Sequence, residues 1–409
     1  MAFAHAPLDA ADLGPVAAKF VDDAAPAKMR KMVAAGLAPL PPRDLLVALY
    51  QLWVSNCEES DQAGKTVESL PPAILDGALA DKKLPAGVLD LLGRKFARNE
   101  PVLERVIRHP GLDDESLVGI ARICGEHLCD VIAANETRWL AQPQIVASLY
   151  QNRHCRMSVV HRMIELAERQ DVELPLPAME EIRQALAESG PVDESRDNIF
   201  KEVTHTEAAI EAETAALELL GAAEVDDDLD LPDFEDNEEE FAGELPLPPE
   251  DDAGEAQAEP AEDKPITQDS APPSKERRLG QLLKMRPLEK IRTAMMGDKF
   301  DRSILVRDSN KIVAMAAIKS PKIRENEAVS YAANRALAHD VINYIATRRD
   351  WVKLYTIKLN LIMNPKTPLA RSMTLLAHLN ATDVQKVARS KGIPSALATA
   401  AKRKVQARS

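Results

Sequence analysis

The segment VIRHPGL at residues 106–112 and the segment AIKSPKI at residues 317–323 decide the fold, because an internal duplication of the chain begins at both. Val118 then aligns with Val329 and Ala121 with Ala332. After a gap of one residue the match resumes with Ala134 on Ala346, Trp139 on Trp351, Ile145 on Ile357, Leu149 on Leu361, Asn152 on Asn364 and Met163-Ile164 on Leu375-Leu376. An alignment of about sixty residues predicts that the two halves of the chain share one architecture.

A shorter period runs inside each half. Ser320-Pro321 and Asn364-Pro365 stand about 44 positions apart, and His109 and Asn152 about 43, which is the period of two-helix HEAT-type units. A residue before proline is disfavoured in the α region, so each of these steps is predicted to end one helix. Proline is tolerated in the first turn of a helix, so we expect it to open the next one.

Composition favours an all-α protein. Aromatic residues make up only 4% of the chain, whereas hydrophobic residues make up 45%, and β-sandwiches favour aromatic and β-branched strands. The sequence predicts two α-solenoid domains at residues 10–210 and 276–409, after a flexible N-terminus at residues 1–9. An acidic disordered linker is predicted at residues 211–275. Whether the two domains touch is left open by the sequence.

The net charge of −14 is unevenly distributed. Residues 276–409 carry about 17 excess positive charges, residues 221–275 about 18 excess negative charges, and residues 1–220 about 13 excess negative charges. The acidic run includes Asp226-Asp227-Asp228 and Glu238-Glu239-Glu240. It is either a solubilising spacer or a mask that lies on the basic domain and competes with an anionic partner.

The run WVKLYTIK at residues 351–358, followed by LIMNPKTP at residues 361–368, carries a family resemblance. With the paired leucines Leu375-Leu376 and with Leu379, it resembles leucine-rich repeat variant and HEAT-like repeats, and Pro394 closes a weaker echo. The resemblance is good from about Ser303 to Ala401 and weaker before Asp171. The whole chain is also similar to uncharacterised HEAT-like proteins of bacteria. The resemblance implies an α-solenoid and no particular ligand.

Cys124, His127, Cys129 and Cys155 form the one metal-like group in the sequence. Zinc or an iron–sulfur cluster needs about four such ligands in convergence, and some leucine-rich repeat variant proteins are similar in carrying a cysteine-bound cluster. Cys124 and Cys129 are five positions apart in one apolar run, which points them in different directions on a helix. Core packing is therefore the favoured interpretation, and we expect no metal and no cofactor.

Enzyme motifs are absent from the sequence. No G-x-x-x-x-G-K-S/T, G-x-S-x-G or H-E-x-x-H occurs. We therefore expect a non-enzymatic protein with no catalytic residue, because solenoids mainly present extended binding surfaces. The first residues do not resemble a signal peptide, and no stretch is apolar enough to span a membrane, so we expect a cytoplasmic location.

Basic residues of the C-terminal domain are the candidate partner-binding groups. Such an excess of positive charge attracts nucleic acid or another polyanion, and Tyr344, Trp351 and Tyr355 would stack on bases if exposed. A solvated face and, for Trp351, a place in the core are the alternatives. The main expectation is a scaffold or adaptor that binds proteins, with nucleic-acid binding as the runner-up. The candidates are Arg277, Arg278, Lys284, Arg286, Lys290, Arg292, Arg348, Arg349, Lys353, Lys358, Lys402, Arg403 and Lys404.

Overall fold

The computed structural model describes residues 4–22, 25–55, 57–206, 211, 214–215 and 274–406. Within these residues there are 25 α-helices, one short 3-10 helix and no strand, which confirms the predicted all-α fold class. We call residues 4–206 the N-terminal half and residues 274–406 the C-terminal half. Most of the predicted acidic linker lies outside the described residues.

The helices are short, and their bounds are as follows. The N-terminal half contains α1 Ala10–Val21, α2 Ala27–Ala34, α3 Pro42–Val54, α4 Ser60–Glu68, α5 Pro72–Leu79, α6 Ala86–Lys95, α7 Glu100–Arg108, α8 Asp114–Ala121, α9 Glu126–Ala133, α10 Glu136–Ala141, α11 Gln144–Gln151, α12 Met157–Arg169, α13 Met179–Glu188 and α14 Asp197–Thr204. The C-terminal half contains α15 Lys275–Lys284, α16 Pro287–Met296, α17 Lys299–Leu305, α18 Lys311–Ile318, α19 Glu325–Ala333, α20 His339–Thr347, α21 Arg349–Val352, α22 Tyr355–Met363, α23 Leu369–Leu376, α24 Ala381–Arg389 and α25 Ser395–Gln406.

The Asn-Pro and Ser-Pro steps end helices as predicted, but their prolines do not open the next ones. α22 ends at Met363, Pro365 lies in the turn, and α23 begins only at Leu369, directly after Pro368. The turn is held by Asn364, whose Oδ1 accepts from the Lys366 amide at 3.0 Å and whose carbonyl accepts from the Thr367 amide at 3.1 Å. A side chain that bonds its own backbone two residues on forms a turn, which separates the helices.

The aligned asparagines confirm that the duplication is structural. Asn152 Nδ2 donates to the Ala121 carbonyl at 3.0 Å, and Asn364 Nδ2 donates to the Ala332 carbonyl at 2.9 Å. Ala121 and Ala332 are themselves aligned in the sequence. Both asparagines are 2% exposed, so each satisfies backbone carbonyls of the preceding repeat unit that water cannot reach.

The two halves form one continuous stack of helices. In the N-terminal half one row runs α3, α6, α8 and α11, and a second row runs α5, α7, α9, α12 and α14, each helix packing on the next. α16 then packs on α11 and continues the first row through α18 and α20, while α15 packs on α14. The two halves therefore contact each other, which answers the question that the sequence left open.

The sequence predicted a flexible N-terminus at residues 1–9, but in the structure residues 5–8 contact neighbouring helices. The Leu8 amide donates to Gln51 Oε1 at 2.8 Å, and the Tyr50 hydroxyl donates to the Ala6 carbonyl at 3.1 Å. His5 Nε2 lies 2.9 Å from the buried carboxylate of Asp90. These contacts hold the segment against α3 and α6, because its polar groups complete hydrogen bonds that the helices leave open.

Candidate functional site

Two of the predicted partner-binding residues are buried, so the prediction is wrong for them. Arg292 is 0% exposed and Arg278 is 6% exposed, so neither side chain belongs to a surface. Arg278 donates to Asp301 Oδ1 at 2.6 Å and to Asp298 Oδ2 at 3.1 Å. The sequence pattern suggested a basic helical face, but charged side chains are buried when partners on neighbouring elements satisfy them.

Arg292 of α16 caps the C-terminal end of α11 in the other half. Its Nε donates to the Tyr150 carbonyl at 2.9 Å, and its Nη2 donates to the carbonyls of Asn152 at 2.8 Å and Cys155 at 2.9 Å. The guanidinium carbon also lies 4.3 Å from the centroid of the Phe200 ring. A cation at a helix C-terminus interacts favourably with the carbonyls that lack intrahelical partners.

Burial lowers the pKa of Arg292 from its ordinary value. Arginine nevertheless stays protonated in proteins, so the side chain carries its charge into the interior. None of the hydrogen bonds described for Arg292 goes to a carboxylate; they go to carbonyl oxygens and to Met157 Sδ. Arg292 therefore serves as a structural tie between the halves and is removed from the candidate surface.

Further predicted residues also form ion pairs within the stack. Arg277 pairs with Glu202, and Arg286 Nη2 lies 3.1 Å from Asp193 Oδ2, both across the contact between the halves. Lys290 Nζ lies 2.7 Å from Asp308 Oδ2 inside the C-terminal half. Most of the basic side chains on and beside α15 and α16 thus form ion pairs with carboxylates. Some of these carboxylates belong to the acidic N-terminal half.

Some candidates in the last five helices are also used internally. Lys404 Nζ donates to the carbonyls of Leu376 at 2.6 Å and Ala377 at 2.8 Å, at the end of α23. The Arg348 guanidinium lies 4.6 Å from the Trp351 ring centroid, and Lys353 pairs with Asp350. Trp351 is 6% exposed, which confirms the core interpretation and removes its ring as a platform for bases.

A group of cations on α21–α25 has no carboxylate partner among the described residues. Besides the predicted Arg349, Lys358, Lys402 and Arg403, it includes residues that sequence analysis missed because each stands alone in the sequence. For Arg371 and Arg389 the signal was an exposed position on an amphipathic helix, opposite buried leucines and valines, whereas Lys391 lies in the bend between α24 and α25. We call these residues the C-terminal basic surface: Arg349, Lys358, Arg371, Arg389, Lys391, Lys402 and Arg403. Among the predicted candidates outside α21–α25, Lys284 is exposed and has no ion pair with a described residue.

Two large apolar side chains are exposed beside this surface. Leu369 is 42% exposed and Met373 is 40% exposed, one helical turn apart on α23, and Arg371 lies between them in the sequence. Residues four apart lie on one face of a helix. The surface therefore combines unpaired positive charge with an apolar patch.

The cysteines predicted as metal candidates are brought together in the core of the N-terminal half. Cys124 Sγ and Cys129 Sγ are 3.6 Å apart, and both Cys129 and Cys155 are 0% exposed. His127 is not with them, because its ring is on the outside, 3.4 Å from Glu104 Oε2. Among the described residues no group of His, Cys, Asp or Glu has the arrangement of a metal site.

Hydrogen bonds between the thiols and burial raise the pKa of Cys129 and of Cys155 above the ordinary range. Metal ligation and nucleophilic attack both require the thiolate. Asn152 Nδ2 also lies 3.4 Å from Cys129 Sγ, so the thiols pack around the asparagine that links two repeat units. This arrangement favours core packing.

Comparison with protein-family models, with curated proteins and with solved structures finds no match to this chain. Among the described helices, none is both long and apolar enough to cross a membrane.

Proposed function

We propose that the protein is a non-enzymatic scaffold or adaptor that binds partner proteins through the surfaces of its helical repeats. The observation that carries the proposal is the C-terminal basic surface with the apolar pair Leu369 and Met373 beside it. A partner that fits both features is an acidic protein segment with apolar side chains. Charge complementarity steers such a partner, and the apolar contacts supply affinity.

The repeat type is part of the same proposal. Paired short helices, a period of about 43 residues and an asparagine that links consecutive units support an α-solenoid of the HEAT-like or leucine-rich repeat variant type. A solenoid presents a long surface for its size, which suits a protein that holds partners at a fixed spacing.

Nucleic-acid binding by the same helices is the second candidate. It is supported by the absence of carboxylate partners for the C-terminal basic surface among the described residues, since phosphate binding needs unpaired cations. Burial of Trp351 weighs against it, because a single-strand binder uses exposed aromatic rings for stacking. In either case the acidic residues 221–270 are proposed to compete for the basic surface.

Fluorescence anisotropy distinguishes the two candidates. The full-length chain and a chain that lacks residues 221–270 are titrated with three labelled probes: a peptide of residues 226–241, mixed-sequence DNA and mixed-sequence RNA. Protein binding predicts that the deleted chain binds the peptide, whose acidic residues surround leucine and phenylalanine. Nucleic-acid binding predicts a steep salt dependence with DNA or RNA instead.

A charge-matched pair of variants tests whether probe binding depends on the C-terminal basic surface. Binding is expected to fall when Arg371, Arg389, Lys391, Lys402 and Arg403 are changed to glutamine. The control changes as many exposed arginines of the N-terminal half to glutamine: Arg98, Arg105, Arg162, Arg169 and Arg183. Equal losses in both variants, or no binding of any probe by the deleted chain, contradict the proposal.

A further inference from the structure

A cleft of about 440 Å³ opens on the N-terminal half, among α7, α8, α9, α10 and α11. Its floor is apolar and includes Ile107, Ile132 and Trp139. Arg108, Asn135 and Arg138 also line it and supply its polar groups. The volume falls within the range of small-molecule sites, and the lining combines seven apolar residues with three polar ones.

The polar side chains of this cleft offer hydrogen-bond donors. Arg138 uses its Nε for Asp114 Oδ1 at 2.8 Å and its Nη2 for the Leu112 carbonyl, which leaves Nη1 without a described partner. Arg108 uses Nε and Nη2 for Glu104, one turn away on an exposed surface. Asn135 Oδ1 accepts from the Arg138 amide, which leaves its Nδ2 as a donor without a described partner. A complementary head group is therefore an acceptor.

Arg108 is able to turn toward a ligand at little cost. Its ion pair with Glu104 joins side chains that are 63% and 31% exposed, and exposed pairs of this kind contribute little to stability. Arg138 is held in place by Asp114 and by the Leu112 carbonyl, so its guanidinium is fixed at the edge of the cleft. One fixed and one adjustable guanidinium suit a carboxylate or sulfonate, which accepts charge-assisted hydrogen bonds.

In the duplicated half a larger side chain packs against the corresponding tryptophan. There, α20 precedes Trp351 as α9 precedes Trp139, and it places Tyr344 with its ring centroid 6.1 Å from that of Trp351, edge-on. The guanidinium carbon of Arg348 lies over the same indole, 4.6 Å from the ring centroid. α9 has the smaller Val131 and Ile132 before its tryptophan, and both line the cleft. α9 thus presents smaller side chains beside its tryptophan than α20 does.

We propose that this cleft binds a small amphipathic anion, with an apolar body on the floor beside Trp139 and an acidic head group at Arg108 and Arg138. The binding is independent of the C-terminal basic surface, which lies on α21–α25. The sequence shows no motif for this ligand site. The site depends on the size of the lining side chains and on the placement of hydrogen-bond donors, which no sequence motif records.

Isothermal titration calorimetry of the full-length chain tests the proposal with three probes that share one apolar body: octanoate, octylamine and octanol. Octanoate is expected to bind in a saturable manner, octanol more weakly, and octylamine not at all. Arg108→Gln is expected to weaken octanoate binding about tenfold, which corresponds to about 1.4 kcal/mol. Arg105→Gln is the matched control, an exposed arginine of the same helix outside the cleft lining, and leaves binding unchanged.

Val131→Phe places a large ring in the lining of the cleft and is expected to remove octanoate binding, with a melting temperature close to that of the wild type. If this variant unfolds, the surface substitution Arg108→Gln still decides the matter. Equal binding of octylamine and octanoate shows non-specific apolar binding and overturns the proposal. So does octanoate affinity that is the same in Arg108→Gln as in the wild type, or the absence of saturable octanoate binding.

Discussion

At the scale of single residues, Asp301 shows how the C-terminal half handles buried charge. Its side chain is 0% exposed, accepts from Arg278 at 2.6 Å and accepts from the Asp298 amide at 3.2 Å. Burial and the neighbouring charge of Asp298 raise the pKa of Asp301 to about 6, although Arg278 opposes this rise. Asp298, less enclosed and bonded to the same arginine, has a lowered pKa.

Asp301 is expected to make the stability of the protein depend on pH. Because folding raises its pKa from 3.8 to about 6, the folded state binds the proton more tightly, and its contribution to stability falls as pH rises through that window. The free energy of unfolding of the wild type, minus that of Asp301→Asn, should therefore fall by up to about 3 kcal/mol between about pH 4 and pH 7. Urea denaturation followed by circular dichroism measures it.

Asp340→Asn is the control for this experiment, because Asp340 belongs to an exposed ion pair with Lys311. Its difference from the wild type should stay nearly constant across the same pH range. Parallel pH profiles for wild type and Asp301→Asn would show that Asp301 keeps an ordinary pKa in the fold.

At the scale of helices, Asn152 and Asn364 join consecutive repeat units. Besides Ala121, Asn152 Nδ2 reaches the Cys124 carbonyl at 2.8 Å, and Asn364 Nδ2 reaches the Asn334 carbonyl at 3.1 Å in addition to Ala332. Each amide thus satisfies two carbonyls at the end of a helix, at least one of them buried. Asn152 and Asn364 thus make equivalent hydrogen bonds in the two halves.

Asn152→Ala and Asn364→Ala are each expected to lower the free energy of unfolding by about 2–3 kcal/mol, because both leave buried carbonyls without donors. The two losses should be similar, since the hydrogen bonds are equivalent. Chemical denaturation measures them, with Asn326→Ala as the control, an exposed asparagine on α19. A loss confined to one half would show that the repeat units are not energetically equivalent.

The sequence predicted those features that depend on local pattern. Trp139, Trp351 and the asparagines were found because identical residues recur at corresponding positions. Such a repeat can be recognised in the sequence without any knowledge of the fold. Arg292 was misplaced because its burial depends on carbonyls of α11, about 140 residues earlier, which no local pattern shows. Arg371 and Arg389 were missed for the opposite reason: each is exposed alone on its own helix, and no local pattern links them.

At the scale of the whole molecule, charge divides along the contact between the halves. Glu181, Asp193 and Glu202 of the N-terminal half pair with Lys319, Arg286 and Arg277 of the C-terminal half. Arg196 and Glu289 form the one described pair of opposite sense, at 2.8 Å. The acidic and basic excesses predicted from the sequence are thus partly consumed within the molecule, and part of the remaining positive charge lies on the C-terminal basic surface.

The halves are expected to stay associated when the chain between them is cut. A specific protease site inserted after Gly254 yields two fragments, which should co-elute in size-exclusion chromatography because Arg292 and the ion pairs hold them. Arg292→Met removes the donors for the α11 carbonyls, at a cost of about 3–5 kcal/mol, and should make the cleaved fragments separate. Arg307→Met, at an exposed position, is the control and should leave them together. Separation of the cleaved wild-type fragments contradicts this account.

The hydrogen bonds of Arg292 also determine when the N-terminal half can finish folding during synthesis. The carbonyls of Leu149 and Tyr150 leave the ribosome about 140 residues before the arginine that satisfies them, a delay of roughly 10–30 s at ordinary translation rates. During that interval α11 has an unfinished end, and α14 lacks the helices that cover it in the complete stack. The nascent N-terminal half is therefore most exposed to aggregation and to chaperones while the acidic segment is being translated, and maturation finishes only when α16 emerges.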